Sequence, residues 1–331
     1  MRRYRPLALI LALLLLAAAC GDDSDTADDD SSATTEADAS GEEGTEDDGD
    51  AEEASGTVTI EHYSGTDEVP TDPETVVVMD TGVALSLLDL GIAIDGLGVA
   101  GTVPDELADI ESVGTAFEPD YEAINALEPD LIIVATRSSA TYPDMSEIAP
   151  TVDLTPAEDV DYLEALRARH ESIGEIFGVE DEVAERFDAI DARVEEIAAQ
   201  TGEAGDALIL MTSGAEVTAY GPGSRFGLVH DLLGYGAADE SLSDEATHGE
   251  AVSFEFILEA APDVMFVIDR SAAIGEEGEA AEQVLDNELV GQTPAWSDDR
   301  VVYVDSFAWY ITSNSLPGIE QILDDVESSL P

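Results

Sequence analysis

Lysine is absent from the 331 residues. All eleven basic side chains are arginine, set against 76 aspartates and glutamates for a net charge of −65. Cysteine occurs once, as Cys20, tryptophan twice, and aromatic residues make up only 6% of the chain. A lone cysteine excludes an internal disulfide framework. So acidic a body disfavours nucleic acid and anionic membrane surfaces as partners. No Ser-His-Asp/Glu signature, cysteine nucleophile or HExxH stretch is present, and the expectation is a protein that is not an enzyme. The longest apolar run, Leu7 to Ala19, is too short for a permanent membrane span.

What is there begins with that run. Arg2, Arg3 and Arg5 precede it, and small residues lead to Cys20, the pattern of a secretory signal over residues 1–19. LAAAC followed by Gly21 resembles a bacterial lipobox, in which Cys20 is lipidated and becomes the new N-terminus. Residues 20–56 then hold sixteen acids and no base, with almost no large apolar side chain. Such a stretch cannot bury enough surface to offset its chain entropy and reads as a disordered, self-repelling tether. Past it, eight arginines face sixty acids, so residues 57–331 carry −52. That charge opposes a compact state at low salt. At about 1 M salt the Debye length is only about 3 Å and the repulsion is screened. The expectation is an acidic, halophilic surface on an extracytoplasmic, lipid-anchored protein.

One stretch is used twice. Residues 121–137, YEAINALEPDLIIVATR, align without a gap with residues 254–270, FEFILEAAPDVMFVIDR. The copies share Glu122/Glu255, Ile124/Ile257, Pro129/Pro262, Asp130/Asp263, Val134/Val267 and Arg137/Arg270. Each is a short helix pattern, a Pro-Asp break and an apolar, β-branched run that reads as a buried parallel strand ending on arginine. One such unit in each half predicts an α/β fold of two Rossmann-like lobes, each a mostly parallel sheet flanked by helices. Ligands of open α/β sheets sit outside the carboxyl ends of the strands, so Arg137 and Arg270 are expected to face a common cleft. Between the halves, Glu180–Gln200 has no Gly or Pro. Its Val183, Phe187, Ile190, Val194 and Ile197 recur at helical spacing, marking one long connecting helix. The expected layout is an N-terminal lobe over 57–178, the helix over 179–202 and a C-terminal lobe over 203–331.

From about Thr57 onward the chain resembles the substrate-binding lipoproteins of ABC importers, in the class with two α/β lobes joined by one long helix. Within that class it is most similar to binders of catecholate iron–siderophores. The order and spacing of TVVVMDTGVALSLLDLG, YEAINALEPDLIIVATR, GPGSRFGLVHDLLG, SFEFILEAAPDVMFVIDR and DSFAWYITSN carry the resemblance. It implies no intrinsic cofactor and a ferric siderophore as ligand. The implied partners are an ABC permease with its ATPase, and the membrane through the lipid anchor. A monomer is expected.

The resemblance also implies a trio of arginines around the anionic ligand, at positions matching Arg137, Arg225 and Arg270. The chemistry agrees: guanidinium offers a permanent charge, several donors in one plane and a face that stacks on aromatic rings. GPGSRFG lacks the Gly-Lys-Ser/Thr ending of a phosphate loop and reads as a turn presenting Arg225 at a helix start, where N–H groups favour anions. His248 and Tyr310 match the histidine and tyrosine with which some related binders complete iron coordination; solvation or packing is the alternative for each. Trp309 and Phe307 are placed at the cleft, with core packing as the alternative. Glu122 and Glu255 match glutamates that pair with permease arginines, against the alternative of ordinary acids at helix starts. Arg167, Arg169, Arg186, Arg193 and Arg300 are expected in surface ion pairs, and His62, His170 and His230 in structural roles. Other ligands on the same fold (a hydroxamate siderophore, haem or cobalamin) remain alternatives, and a surface-anchored enzyme acting on an anionic substrate is a more distant one.

Overall fold

β-Branched runs and Pro-Asp breaks set the layout of the chain, whose computed structural model describes residues 56–157, 160–242 and 249–331. The signal, Cys20, the acidic stretch up to residue 55 and His248 lie outside the described residues. Those described all fall within one compact unit. Its first half runs β1 (Thr57–His62), β2 (Gly65–Pro70), β3 (Val76–Val78), α1 (Thr81–Asp89), β4 (Gly96–Val99), β5 (Glu111–Thr115), α2 (Tyr121–Ala126), β6 (Leu131–Val134), α3 (Tyr142–Met145), β7 (Thr151–Asp153) and α4 (Tyr162–Phe177). Helix α5 (Glu180–Thr201) follows. The second half holds β8 (Asp206–Ser213), β9 (Glu216–Tyr220), α6 (Leu228–Asp231), β10 (Gly236–Ala237), β11 (Glu250–Ala251), α7 (Phe254–Ala260), β12 (Val264–Asp269) and α8 (Arg270–Ile274). It closes with α9 (Ala281–Leu285), α10 (Pro294–Ser297), β13 (Val301–Tyr303), α11 (Ser306–Tyr310) and α12 (Leu316–Ser328).

The first lobe is a five-stranded sheet in the order β5-β4-β3-β6-β7, every pair parallel, with β1 and β2 as a separate antiparallel hairpin. The second is a mixed sheet, β11-β9-β8-β12-β13, with β10 also beside β8. There β8, β12 and β13 run parallel, while β9 and β11 are antiparallel additions. Strands β6 and β12, the ends of the duplicated unit, sit at matching places, each beside the first strand in chain order of its lobe's main sheet. Both are buried along nearly their whole length, as expected of strands covered on two faces.

The lobes are joined at more than one place. Helix α4 stops at Gly178, which takes the left-handed conformation (φ 66°) that lets the chain turn into α5 without steric cost. Glu180, Asp181 and Glu182 fill the first turn of α5, where the helix dipole favours acids. Its apolar face (Val183, Phe187, Ile190, Val194, Ile197) is buried in the core of the second lobe. The C-terminal helix α12 buries its apolar face in that same core and also packs against α1 of the first lobe. His170 on α4 donates from Nδ1 to the Leu166 carbonyl (2.7 Å), which leaves Nε2 to accept the Ser86 hydroxyl of α1 (2.9 Å). The Ser86 oxygen accepts in turn the Leu316 N–H that opens α12 (3.1 Å). Arg186 of α5 reaches both Asp89 of α1 and Glu320 of α12. No helix among the described residues is long and apolar enough to cross a membrane.

Three expectations are corrected here. Trp309 is fully buried rather than at the cleft: its ring stacks on Phe266 (5.8 Å between centroids) and its indole N–H donates to Asp325 (2.8 Å). Arg169 is not a surface residue; only 2% of its side chain is exposed, and it pairs with Asp80. Arg300 is held by backbone, donating to the carbonyls of Ser329 (3.0 Å) and Ala204 (2.6 Å). Arg167, Arg186 and Arg193 do sit in part-exposed ion pairs with acids of neighbouring helices.

Candidate functional site

Tyr310, the last residue of α11, is the point on which three arginines converge. Arg137, three residues past β6, donates from Nη2 to the Tyr310 carbonyl (3.3 Å), and Arg225, in the glycine-bounded turn between β9 and α6, donates to the same oxygen (3.0 Å). Arg270, the first residue of α8 directly after β12, donates from Nε to the Tyr310 phenol oxygen (3.1 Å). All three guanidiniums also lie over the Tyr310 ring, their central carbons 6.0, 4.7 and 5.7 Å from its centroid. Arg225 stacks on Phe226 as well, at 4.7 Å. One guanidinium therefore arrives from the first lobe and two from the second.

The local folding explains the delivery. Asp269 caps α8, accepting the Ala272 N–H (3.0 Å), so Arg270 leaves the strand at the helix start. In the turn before α6, Gly223 is left-handed (φ 71°) and its N–H goes to the Asp231 carboxylate (2.8 Å). Helix α6 has only four residues and begins three positions after Arg225, so the turn itself, not a helix start, presents this arginine.

Beside the cluster is a cavity of about 280 Å³, lined from the first lobe by Asp80, Thr136, Arg137 and Arg169 and from the second by Arg225, Tyr310, Ile311, Ser313 and Asn314. Among the described residues Arg167, Arg169, Arg186 and Arg193 each hold a carboxylate, whereas Arg137, Arg225 and Arg270 hold none. In a body with sixty acids after residue 56, that leaves positive charge concentrated at one mouth. The titration behaviour follows. Loss of water pulls Arg225 below the usual arginine value, and the neighbouring Arg137 charge adds to this against the opposing effect of Tyr310. For Tyr310, burial acts to raise the pKa, but the Arg270 hydrogen bond and the three guanidinium charges together outweigh it, and the phenol sits below its ordinary value. Arginines in such a place can grip an anion rich in oxygen acceptors, with each charge-assisted bond worth about 1.5–3 kcal/mol.

The structure thus gathers Arg137, Arg225, Arg270 and Tyr310 and excludes Trp309. Phe307 is part-buried one helical turn before Ile311, and no metal-holding group of His, Cys, Asp and Glu occurs among the described residues. Glu122 and Glu255 lie apart from the cleft, exposed in the first turns of α2 and α7 behind the caps Asp120 and Ser253. On the cavity wall, Asp80 escaped the sequence reading because nothing marks it among so many acids, and Arg169, on a helix rich in charge, reads there as a surface ion pair.

The family model described as "Periplasmic binding protein" matches residues 76–308. The petrobactin-binding protein YclQ of Bacillus subtilis is 36% identical over 82% of this chain and 88% of its own length. The ferric-anguibactin-binding protein FatB of Vibrio anguillarum is 32% identical over 81% and 86%. Among solved structures, the catecholate-siderophore-binding protein VctP of Vibrio cholerae superposes with a TM-score of 0.77 at 32% identity, covering 82% of this chain and all of its own. The chain belongs to the periplasmic binding protein family.

Proposed function

We propose that this protein captures an iron(III)–siderophore complex of the catecholate type between its lobes and delivers it to an ABC permease driven by its ATPase. The observation that carries the reading is the meeting of Arg137, Arg225 and Arg270 on Tyr310, with no carboxylate among the described residues taken by any of them. Ferric catecholates are anionic and flat-faced, and guanidinium planes over an aromatic ring match both properties. Hydroxamate complexes, haem and cobalamin need less positive charge at the mouth. Relatives whose names specify petrobactin and ferric anguibactin support the ligand class. The phenol of Tyr310, held below its ordinary pKa, is a hard oxygen donor suited to iron(III) should the siderophore leave coordination sites open. Lipidation at Cys20 would keep the protein on the outer face of the cell membrane, and the exposed Glu122 and Glu255 would meet the permease. Binding, rather than catalysis, is the activity assigned to the chain.

Quenching of intrinsic fluorescence tests this directly. Ferric catecholate is expected to saturate the signal at far lower concentration than ferric hydroxamate. Equal affinity for the two, or none for either, overturns the assignment.

A further inference from the structure

Arg137 and Arg270 occupy the same position in the duplicated unit, yet the chain reaches them differently. Before Arg270 stands Asp269, with an ordinary extended backbone (φ −93°). Before Arg137 stands Thr136, a β-branched residue in the left-handed region (φ 49°). Branching at Cβ makes that conformation a strained one, which persists only when its surroundings enforce it. The strain is therefore no inheritance of the repeat; it belongs to the first lobe alone.

The enforcing contacts are present. The Thr136 hydroxyl donates to Asp80 Oδ2 (2.7 Å), and its N–H donates to the Thr155 hydroxyl (2.7 Å). Thr155 is fixed by donating to Asp153, a fully buried carboxylate that also accepts the hydroxyls of Ser64 and Ser139. Asp80 has two further tasks. Its Oδ1 accepts the Val83 N–H, capping α1 (2.9 Å), and the Nη2 of buried Arg169 (2.9 Å). Arg169 reaches over to the other side of the cavity, donating from Nη1 to the Asn314 carbonyl (3.0 Å), four residues past Tyr310. Its Nε–H is buried without a partner, so the side chain is held by these two contacts rather than fully satisfied.

We propose that Asp80 is a positioning residue for the ligand cleft: through Thr136 it holds the strained turn that aims Arg137 at Tyr310, and through Arg169 it ties that turn to the segment following Tyr310. Asp80 and Thr136 need touch no ligand to do this. The inference deepens the siderophore reading and rests on it for the nature of the ligand, an oxygen-rich anion.

Thr136→Gly is the decisive variant. Glycine adopts φ 49° freely, so the fold is retained while the grip of Asp80 on the turn is lost. With iron(III) tris-(2,3-dihydroxybenzoate) as probe, affinity is expected to fall about tenfold, as for loss of one charge-assisted contact. Thr136→Ser, which keeps the hydroxyl, should bind as the parent does. Asp80→Ser with Arg169→Met keeps the α1 cap, leaves no buried charge unpaired, and should weaken binding to a similar degree. Because Thr136→Gly acts through Arg137, adding Arg137→Met to it should cost little beyond Arg137→Met alone. Unchanged affinity in Thr136→Gly, or losses that simply add, would overturn the proposal. If the unaltered protein binds no ferric catecholate, the siderophore reading fails, and the positioning claim is decided without ligand. The Arg137 Nε–H resonance, identified by its loss in Arg137→Met, must then shift or broaden in Thr136→Gly and not in Thr136→Ser. An unmoved resonance refutes it.

Discussion

Arg270 and Tyr310 are joined side chain to side chain, guanidinium Nε to phenol oxygen at 3.1 Å, while the other two arginines bind the backbone carbonyl of the same tyrosine. Arg270 is thus the arginine whose contact changes most when the phenol ionises. The phenol lies below its ordinary value although burial alone would raise it. Spectroscopic titration of the tyrosines should show one ionising ahead of the others. Arg270→Met should move it upward, since both a hydrogen bond and a charge that favour phenolate are lost. If Tyr310→Phe leaves the early transition in place, another tyrosine is responsible and this account of the site is wrong.

Trp309 packs into the core while its neighbour Tyr310 faces the cleft, and its removal should separate stability from binding. Trp309→Ala leaves a cavity between Phe266 and Phe226 and is expected to cost about 3–5 kcal/mol in denaturant unfolding. Trp309→Phe keeps the stack but leaves the half-buried Asp325 one donor short, at about 1–3 kcal/mol. Siderophore affinity measured on the folded fraction should stay at the parent value in both. A large loss of affinity in Trp309→Phe would restore Trp309 to the cleft.

These two adjacent residues mark where sequence reasoning stops. In a helix of five residues, side chains one position apart diverge by about 100°, so FAWYITSN could not tell which aromatic faced the ligand. The duplicated unit was far more legible because local chemistry dictates it. Glu128 and Ala261, each just before the Pro-Asp pair, are both left-handed (φ 50° and 47°). Asp130 and Asp263 then make the same bond, each carboxylate accepting the N–H of a residue at the foot of the neighbouring strand, Thr75 (2.9 Å) or Asp206 (3.0 Å). Asp80 and Arg169 depend instead on contacts between residues far apart in the chain, 89 positions in their case, which no local pattern encodes. The short elements β10, β11 and α8–α10 escaped for a related reason: they are too brief to show a period.

His170 predicts a pH dependence. Burial, opposed only in part by its bond to the Leu166 carbonyl, lowers its pKa to about 3, against about 6.5 in an unfolded chain. The folded state therefore binds fewer protons than the unfolded one between these values. Stability from this group is complete above about pH 6.5 and declines as pH falls toward 3, by at most about 1.4 kcal/mol per pH unit. Titrating acids contribute their own slope, so the measurement is a difference: urea unfolding of the parent and of His170→Gln across this range at constant high salt. The parent should lose stability more steeply on acidification. Parallel curves would mean that His170 is not held neutral.

Salt should act oppositely on most proteins' surface pairs and on this body. With eight arginines against sixty acids over residues 57–331, repulsion dominates at low ionic strength. Raising sodium chloride from about 0.1 M to about 1 M shortens the Debye length from about 10 Å to about 3 Å. The melting temperature should climb over that interval and level off once screening is complete. A flat or falling profile would show that the ion pairs of Arg167, Arg186 and Arg193 outweigh the net charge.

Glu122 and Glu255 are second residues of equivalent helices, and nothing in the fold requires them to be acidic. Asp120 and Ser253 already cap the helices, accepting the N–H groups of Ala123 (3.0 Å) and Phe256 (3.3 Å). Both glutamates are exposed, and Glu255 is held ionised below its usual range by its own backbone N–H and by the Ser253 hydroxyl. Reversing both to lysine should leave folding within about 0.5 kcal/mol of the parent, as for exposed sites generally. Affinity for ferric catecholate should also be retained, because neither residue lines the cavity. Uptake of iron-labelled siderophore by cells carrying the double variant should nevertheless stop if the two glutamates meet basic groups of the proposed permease, since like charges would then face each other. Undiminished uptake would remove these glutamates from the docking surface, and a loss of affinity would place them in the binding site instead.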